Sequence, residues 1–235
     1  MREITDLASV KQQAIAFLYL EPKPIKGIDF LVEYPFLETA FGYTPKTHKM
    51  FNVFLDKQVF ETYKKEMREN ISTMENLNEI VDLFRKSYKL TLFKYVNEYL
   101  SVKDFSQVFS SIWTLSEFPS RDVNVSKEEF AYWFEVADKT ILMNEDDLLK
   151  YNSLPDTFQV YRGVGSDAYR KGLSWTLSYE TAEFFAIRFE LKFPVLYSFT
   201  VNKKDTLAYF GNRDEDEIII NPLTLENYKI NTEYL

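Results

Sequence analysis

The stretch TFQVYRGV, residues 157–164, is where this chain changes character. Its apolar and polar residues alternate, the period of a half-buried strand rather than of a helix. Downstream, LSWTLS reads as a short strand, and PVLYSFTV, DTLAYF and DEIIINP as three further β segments. One helix interrupts them. Ser178 is placed to cap YETAEFFAIRFELK, in which Ala182, Phe185, Ala186 and Phe189 form a buried stripe and Phe184, at its border, reads as core packing. Four of the six glycines (Gly163, Gly165, Gly172 and Gly211) fall in this part, where backbone must turn or approach something closely.

Upstream, residues 1–152 read as mainly helical. DKQVFETYKKEMREN and LNEIVDLFRKSYKLTLFKYVNEYL carry apolar residues at three- and four-residue spacing, with Ile80, Leu83, Phe84 and Tyr88 on one face. VSKEEFAYWFEVADKTILM opens with Ser126 and Glu129 in capping-box register, ahead of Phe130, Trp133, Phe134 and Ala137. PKPIKG and EFPSRDVN are turn-rich breaks. No linker composition precedes NSLPD, so the expectation is an α+β protein. Residues 1–152 are expected to form a helical lobe on the β part at 153–235, within one continuous body.

Composition excludes several chemistries. The 235 residues include no cysteine, which removes thiolate nucleophiles, disulfides and Cys-ligated zinc. The single histidine, His48 in TPKTHKM, reads as a solvated loop residue and leaves no material for a His-based triad or a multi-His metal site. No metal site is expected. A net charge of −8 argues against tight, sequence-blind nucleic-acid binding, although bases outnumber acids between Lys46 and Lys103. No apolar run reaches membrane-spanning length and the first residues lack signal-peptide form, so a soluble cytoplasmic protein without a membrane partner is expected.

Three short motifs carry candidate chemistry. In DEDEIII, four acids (Asp214 to Glu217) run directly into three isoleucines. If a strand begins near Glu215, then Glu215 and Glu217 share one face at its mouth, a pair suited to charge stabilisation and proton removal in different environments. In VYRGVG, Arg162 ends a strand beside Gly163, offering a planar fork of donors to a phosphate approaching the backbone. In LSWTLS, Ser174 and Thr176 share a face and are spaced to orient a carboxylate, with Trp175 on the other. Taken singly, each motif also has a plain reading: an acidic hairpin, a surface ion pair, a common strand pattern.

In this order, YRG, LSWTLSYETAEFFA and YFGNRDEDEIII resemble the Arg–Ser–Glu signature of mono-ADP-ribosyltransferases, over about residues 158–220. The family usually writes the middle motif Ser-Thr-Ser, and this chain has the bulky Trp175 at its centre. The resemblance implies a split β-sheet of the ADP-ribosyltransferase type, NAD as co-substrate, and transfer of ADP-ribose to a macromolecular acceptor. It implies that Glu217 supports the ribose, that Ser174 holds Glu217, that Arg162 grips a phosphate and that Glu215 serves the acceptor. Gly163, Trp175, Thr176 and Tyr179 fall with the NAD-binding positions, and Tyr209 and Phe210 with an acceptor-facing aromatic loop made flexible by Gly211 and Asn212. A Glu at position 215 goes with protein arginine in the family, while RNA or DNA bases are acceptors in some bacterial and phage relatives. The implied settings are a bacterial toxin with a neutralising partner protein, or a phage effector. Two other readings stay open: a binding module of the same fold without turnover, and a helical interaction protein with a small β appendage.

Overall fold

The structure is a computed structural model that describes residues 2–116, 123–166, 172–188, 193–211 and 214–235. It is a mixed helix and sheet protein with a helical region and a six-stranded antiparallel sheet. The chain divides into two compact units, Met1–Val108 and Phe109–Leu235. That division lies ahead of the change of texture at residue 152, so three of the helices before the sheet fall in the second unit with it.

The first unit holds α1 (Leu7–Ala16), five short strands β1 (Lys23–Ile25), β2 (Ile28–Tyr34), β3 (Leu37–Thr39), β4 (Phe41–Tyr43) and β5 (Met50–Asn52), then α2 (Lys57–Thr73), α3 (Leu77–Asp82) and α4 (Lys86–Val96). Helix α5 (Val102–Leu115) runs through the division. The strands are a correction to the mainly helical reading of this part. They are only three to seven residues long, and β2 is exposed at one end and buried at the other instead of alternating evenly. Periodicity has little to register in such strands. The long helical segment after residue 77 is broken between α3 and α4, with Ile80 and Phe84 buried as the spacing predicts and Leu83 and Tyr88 half-buried.

The second unit begins with three helices, α6 (Lys127–Val136), α7 (Lys139–Leu142) and α8 (Glu145–Ser153). Helix α6 starts at the expected capping box: Ser126 accepts from the Glu129 N–H and Glu129 accepts from the Ser126 N–H. Phe130, Trp133 and Phe134 are buried and join Phe109 and Trp113 of α5 in edge-to-face contacts. Burial of each such ring stabilises the unit by roughly 1.5–3 kcal/mol, with about 0.5–1.5 kcal/mol more from each ring pair.

The sheet follows as β6 (Thr157–Val164), β7 (Ser174–Thr176), α9 (Tyr179–Ile187), β8 (Val195–Asn202), β9 (Thr206–Phe210), β10 (Glu217–Ile220) and β11 (Asn231–Tyr234). Its spatial order is β11-β8-β6-β7-β10-β9, antiparallel throughout. Strands β6 and β8 pair over eight residues, from Thr157↔Asn202 to Val164↔Val195. Strands β6 and β7 share one pair, Tyr161↔Thr176. The sheet therefore opens along β6 and β7 into two three-stranded halves.

Helix α9 begins at Ser178, whose hydroxyl accepts from the Thr181 N–H at 3.0 Å. It lies on β6 so closely that a Cβ on Gly163 would sit 1.6 Å from the Ala182 carbonyl oxygen. Ala182 and Ala186 are buried there and Phe185 is half-buried, while Phe189 lies outside the described residues. Phe184 is 59% exposed, correcting its assignment to the core: at this helix–strand spacing only alanines fit against the sheet, and the bulky neighbour turns outward. Among the described residues no helix is long and apolar enough to cross a membrane.

Candidate functional site

The opening between β6 and β7 is where the three motifs meet. Glu217, the first residue of β10, pairs with Thr176, and Thr176 pairs with Tyr161. Strand alternation puts these three side chains and Ser174 on one face. It is the face on which α9 lies, as the Tyr161–Tyr179 ring contact at 5.7 Å shows. Ile218 and Trp175 point to the other face, where Trp175 packs edge-on against Phe199 at 4.8 Å.

Arg162 follows Tyr161 at the point where the two strands part. Its guanidinium lies where a Cβ of Gly172 would be, with Cζ 2.3 Å from that position, and its Nη1 donates to the Ser174 carbonyl. That carbonyl thus takes its donor from a side chain rather than from a β6 N–H. The Ser174 side chain lies near enough to the Glu217 carboxyl to lower its pKa, against the larger effect of burial. Ser174 and Glu217 share one face, while Arg162, one residue on from Tyr161, belongs by alternation to the other and reaches the Ser174 backbone carbonyl where the strands part, its charge acting only weakly on Glu217.

Glu217 is half-buried, and its carboxyl sits among enough surrounding protein to feel burial as the main influence on its pKa. Burial pushes its pKa above the ordinary carboxylate value. Hydrogen bonds from Ser174 and Trp113 work against that rise, the charge of Glu215 adds to it, and the charge of Arg162 opposes it. The Trp113 contact is direct: the indole Nε1–H donates to Glu217 Oε2 at 3.2 Å. Nothing in the sequence flags Trp113, which reads there as one more apolar position on an amphipathic helix.

The acidic loop before β10 differs from the expectation of a strand beginning at Glu215. Pairing starts at Glu217, and Asp214 and Asp216 both have positive φ, 56° and 44°. Two left-handed residues flanking Glu215 break the alternation that would have put Glu215 and Glu217 on one face; aspartate tolerates this conformation better than most residues. The loop is held from several sides. Thr176 donates to the Glu215 carbonyl at 2.6 Å, Leu177 N–H donates to the Asp216 carbonyl at 3.1 Å, and the Tyr209 hydroxyl donates to the Asp216 carboxylate. Asp147 of α8, 5% exposed, accepts the Gly211 N–H at 2.8 Å, and burial raises its pKa against that hydrogen bond.

The structure places the other expected binding positions as follows. Gly163 is covered by the α9 backbone, so its missing side chain admits a helix rather than a phosphate. Trp175 is 2% exposed on the face away from Glu217, its indole donating to the Gly172 carbonyl at 3.0 Å, so it is core and not a ring platform. Thr176 is buried and directed to the loop backbone instead of to a carboxylate. Tyr209 and Phe210 are 5% and 3% exposed within β9; the Tyr209 hydroxyl holds the acidic loop at Asp216, and the Phe210 ring meets Phe134 at 6.4 Å. Tyr179 stays half-buried on the site face, its hydroxyl donating to Glu233 at 3.2 Å. Asn212 lies outside the described residues. Among the described residues no group of three His, Cys, Asp or Glu side chains is arranged to hold a metal ion.

No protein-family model matches the chain, and no match was found among curated proteins or solved structures.

Proposed function

We propose that this protein is a mono-ADP-ribosyltransferase that cleaves NAD⁺ at the nicotinamide–ribose bond and passes ADP-ribose to a macromolecular acceptor. One observation carries the reading. Arg162, Ser174 and Glu217 come from β6, β7 and β10 beside the place where the sheet opens: Arg162 donates to the Ser174 carbonyl, and the Ser174 side chain and the Arg162 charge both act to lower the Glu217 pKa.

The chemistry suits that arrangement. As the C1′–N bond breaks, its electron pair leaves with nicotinamide and positive charge develops on the ribose. An enclosed carboxylate gains more from a cation forming beside it than a solvated one does, so its help is concentrated in the transition state. The raised pKa of Glu217 is the ground-state counterpart of that enclosure. The Arg162 fork is suited to a phosphate of the dinucleotide at the edge of the opening. Glu215, on the held loop, is the group assigned to take the proton from the acceptor nucleophile as it bonds to C1′. Protein arginine is the favoured acceptor class on the strength of Glu215, with nucleic-acid bases second; a toxin restrained by a neutralising protein or a phage effector are the fitting biological roles.

The test is incubation with labelled NAD⁺ and cell lysate, followed by protease or nuclease, whichever releases the label naming the acceptor. Glu217→Gln should lower the rate by roughly 100- to 1,000-fold, the scale for removing one such electrostatic group. An unlabelled lysate together with no nicotinamide release would overturn the proposal.

A further inference from the structure

Resting on that reading of the site, the geometry points to Trp113 as a positioning residue for Glu217, supplied by a helix outside the three motifs. Its indole Nε1–H donates to Glu217 Oε2 at 3.2 Å across 104 positions of sequence. The ring is fixed on several sides. It is 2% exposed and meets Phe109, Phe130 and Phe134 at 6.3, 5.5 and 4.8 Å. A donor so confined has little freedom to seek another acceptor.

Glu217 has particular need of such an anchor. It is the first residue of β10 and follows Asp216, whose φ is 44°, so regular strand geometry supports it on one side only. An indole N–H donates and cannot accept. A hydrogen bond of this kind is stronger to a carboxylate than to a neutral acid, so Trp113 favours the ionised state that burial disfavours. A carboxylate offers about four acceptor positions. Trp113 engages one of them, leaving capacity for the nearby Ser174 side chain and a ribose hydroxyl. Plain core packing would explain the buried ring, but it leaves open why the N–H is aimed at this carboxylate.

Trp113→Phe keeps most of the ring and deletes the donor. In the NAD⁺-cleavage assay kcat should fall about tenfold to a hundredfold, the range for losing a hydrogen bond to a charged group. KM should change little, and the acid limb of the kcat–pH profile should move to higher pH. Unchanged kcat and pH profile in a folded, active variant overturn the inference. A second measurement needs no turnover. In the ¹⁵N-labelled full chain, the Trp113 indole resonance, assigned by its loss in Trp113→Phe or Trp113→Leu, should shift with pH in the parent and stay flat in Glu217→Gln. A resonance that ignores pH in both proteins refutes the contact. A titrating resonance in a protein that never cleaves NAD⁺ leaves the contact standing and removes the transferase reading instead.

Discussion

Gly163→Ala is expected to destabilise the second unit severely, and the reason separates two explanations of that glycine. An added Cβ would lie 1.6 Å from the Ala182 carbonyl oxygen, 2.7 Å from the Ala182 carbonyl carbon and 2.8 Å from the Ala186 nitrogen. Ordinary contact begins near 3.4 Å, so α9 would have to retreat by about 1.8 Å. The obstacles are backbone atoms of one helix, so no rotamer change relieves them. Retreat would also uncover Ala182 and Ala186, now 0% and 1% exposed. Overpacking a core costs typically about 1–3 kcal/mol, and an obstacle that only rigid-body movement can clear puts this change at or above the upper end. For a unit of this size roughly 3 kcal/mol corresponds to a fall of about 10 °C in melting temperature. Differential scanning calorimetry and urea titration of the parent and variant measure it. A variant within about 1 kcal/mol of the parent that has merely lost NAD affinity would refute the packing argument, and would mean that Gly163 exists for ligand approach after all.

Other substitutions probe the site itself. Gly172→Ala would put its Cβ 2.3 Å from Arg162 Cζ, but there the obstacle is the end of a flexible side chain. The variant should fold with a stability loss under about 1 kcal/mol and bind NAD⁺ about tenfold more weakly, the scale of one displaced hydrogen-bonding group; calorimetric titration showing parental affinity would mean that the guanidinium placement is irrelevant to binding. Glu217→Gln has a stability consequence whose sign follows from burial. Because the folded carboxyl titrates above its unfolded value, the stability it contributes is full below the unfolded pKa, about 4.3, and is lost as pH rises through the folded pKa. Relative to the parent, Glu217→Gln should therefore gain stability on going from pH 5 to pH 8 in urea titrations. A relative loss over that interval would show that Glu217 is not held in the enclosed environment described.

How much of this was legible beforehand depends on the range of the interactions involved. Strand β6 follows from alternation, β7 to β10 from short β-rich segments, and the caps at Ser126 and Ser178 from side-chain acceptors placed three residues ahead of a helix N–H, so neighbouring residues suffice to read them. Strands β1 to β5 and β11 were missed because short, unevenly buried segments carry almost no periodic signal. The burial of Tyr209 and Phe210, the exposure of Phe184 and the left-handed Asp214 and Asp216 depend on what packs alongside, which spacing along the chain does not encode.

The candidate site divides in the same way. Residue order alone supplied a guanidinium, a hydroxyl and a carboxylate at strand ends, because their chemistry belongs to the side chains and their faces to a two-residue period. Only the tertiary structure decided that Arg162 lies against Gly172 and the Ser174 carbonyl, that α9 and not a phosphate covers Gly163, and that Trp113 reaches Glu217. Those contacts join residues up to 104 positions apart. They arise where two strands part after a single pair and a helix rests on alanines, arrangements set by three-dimensional packing.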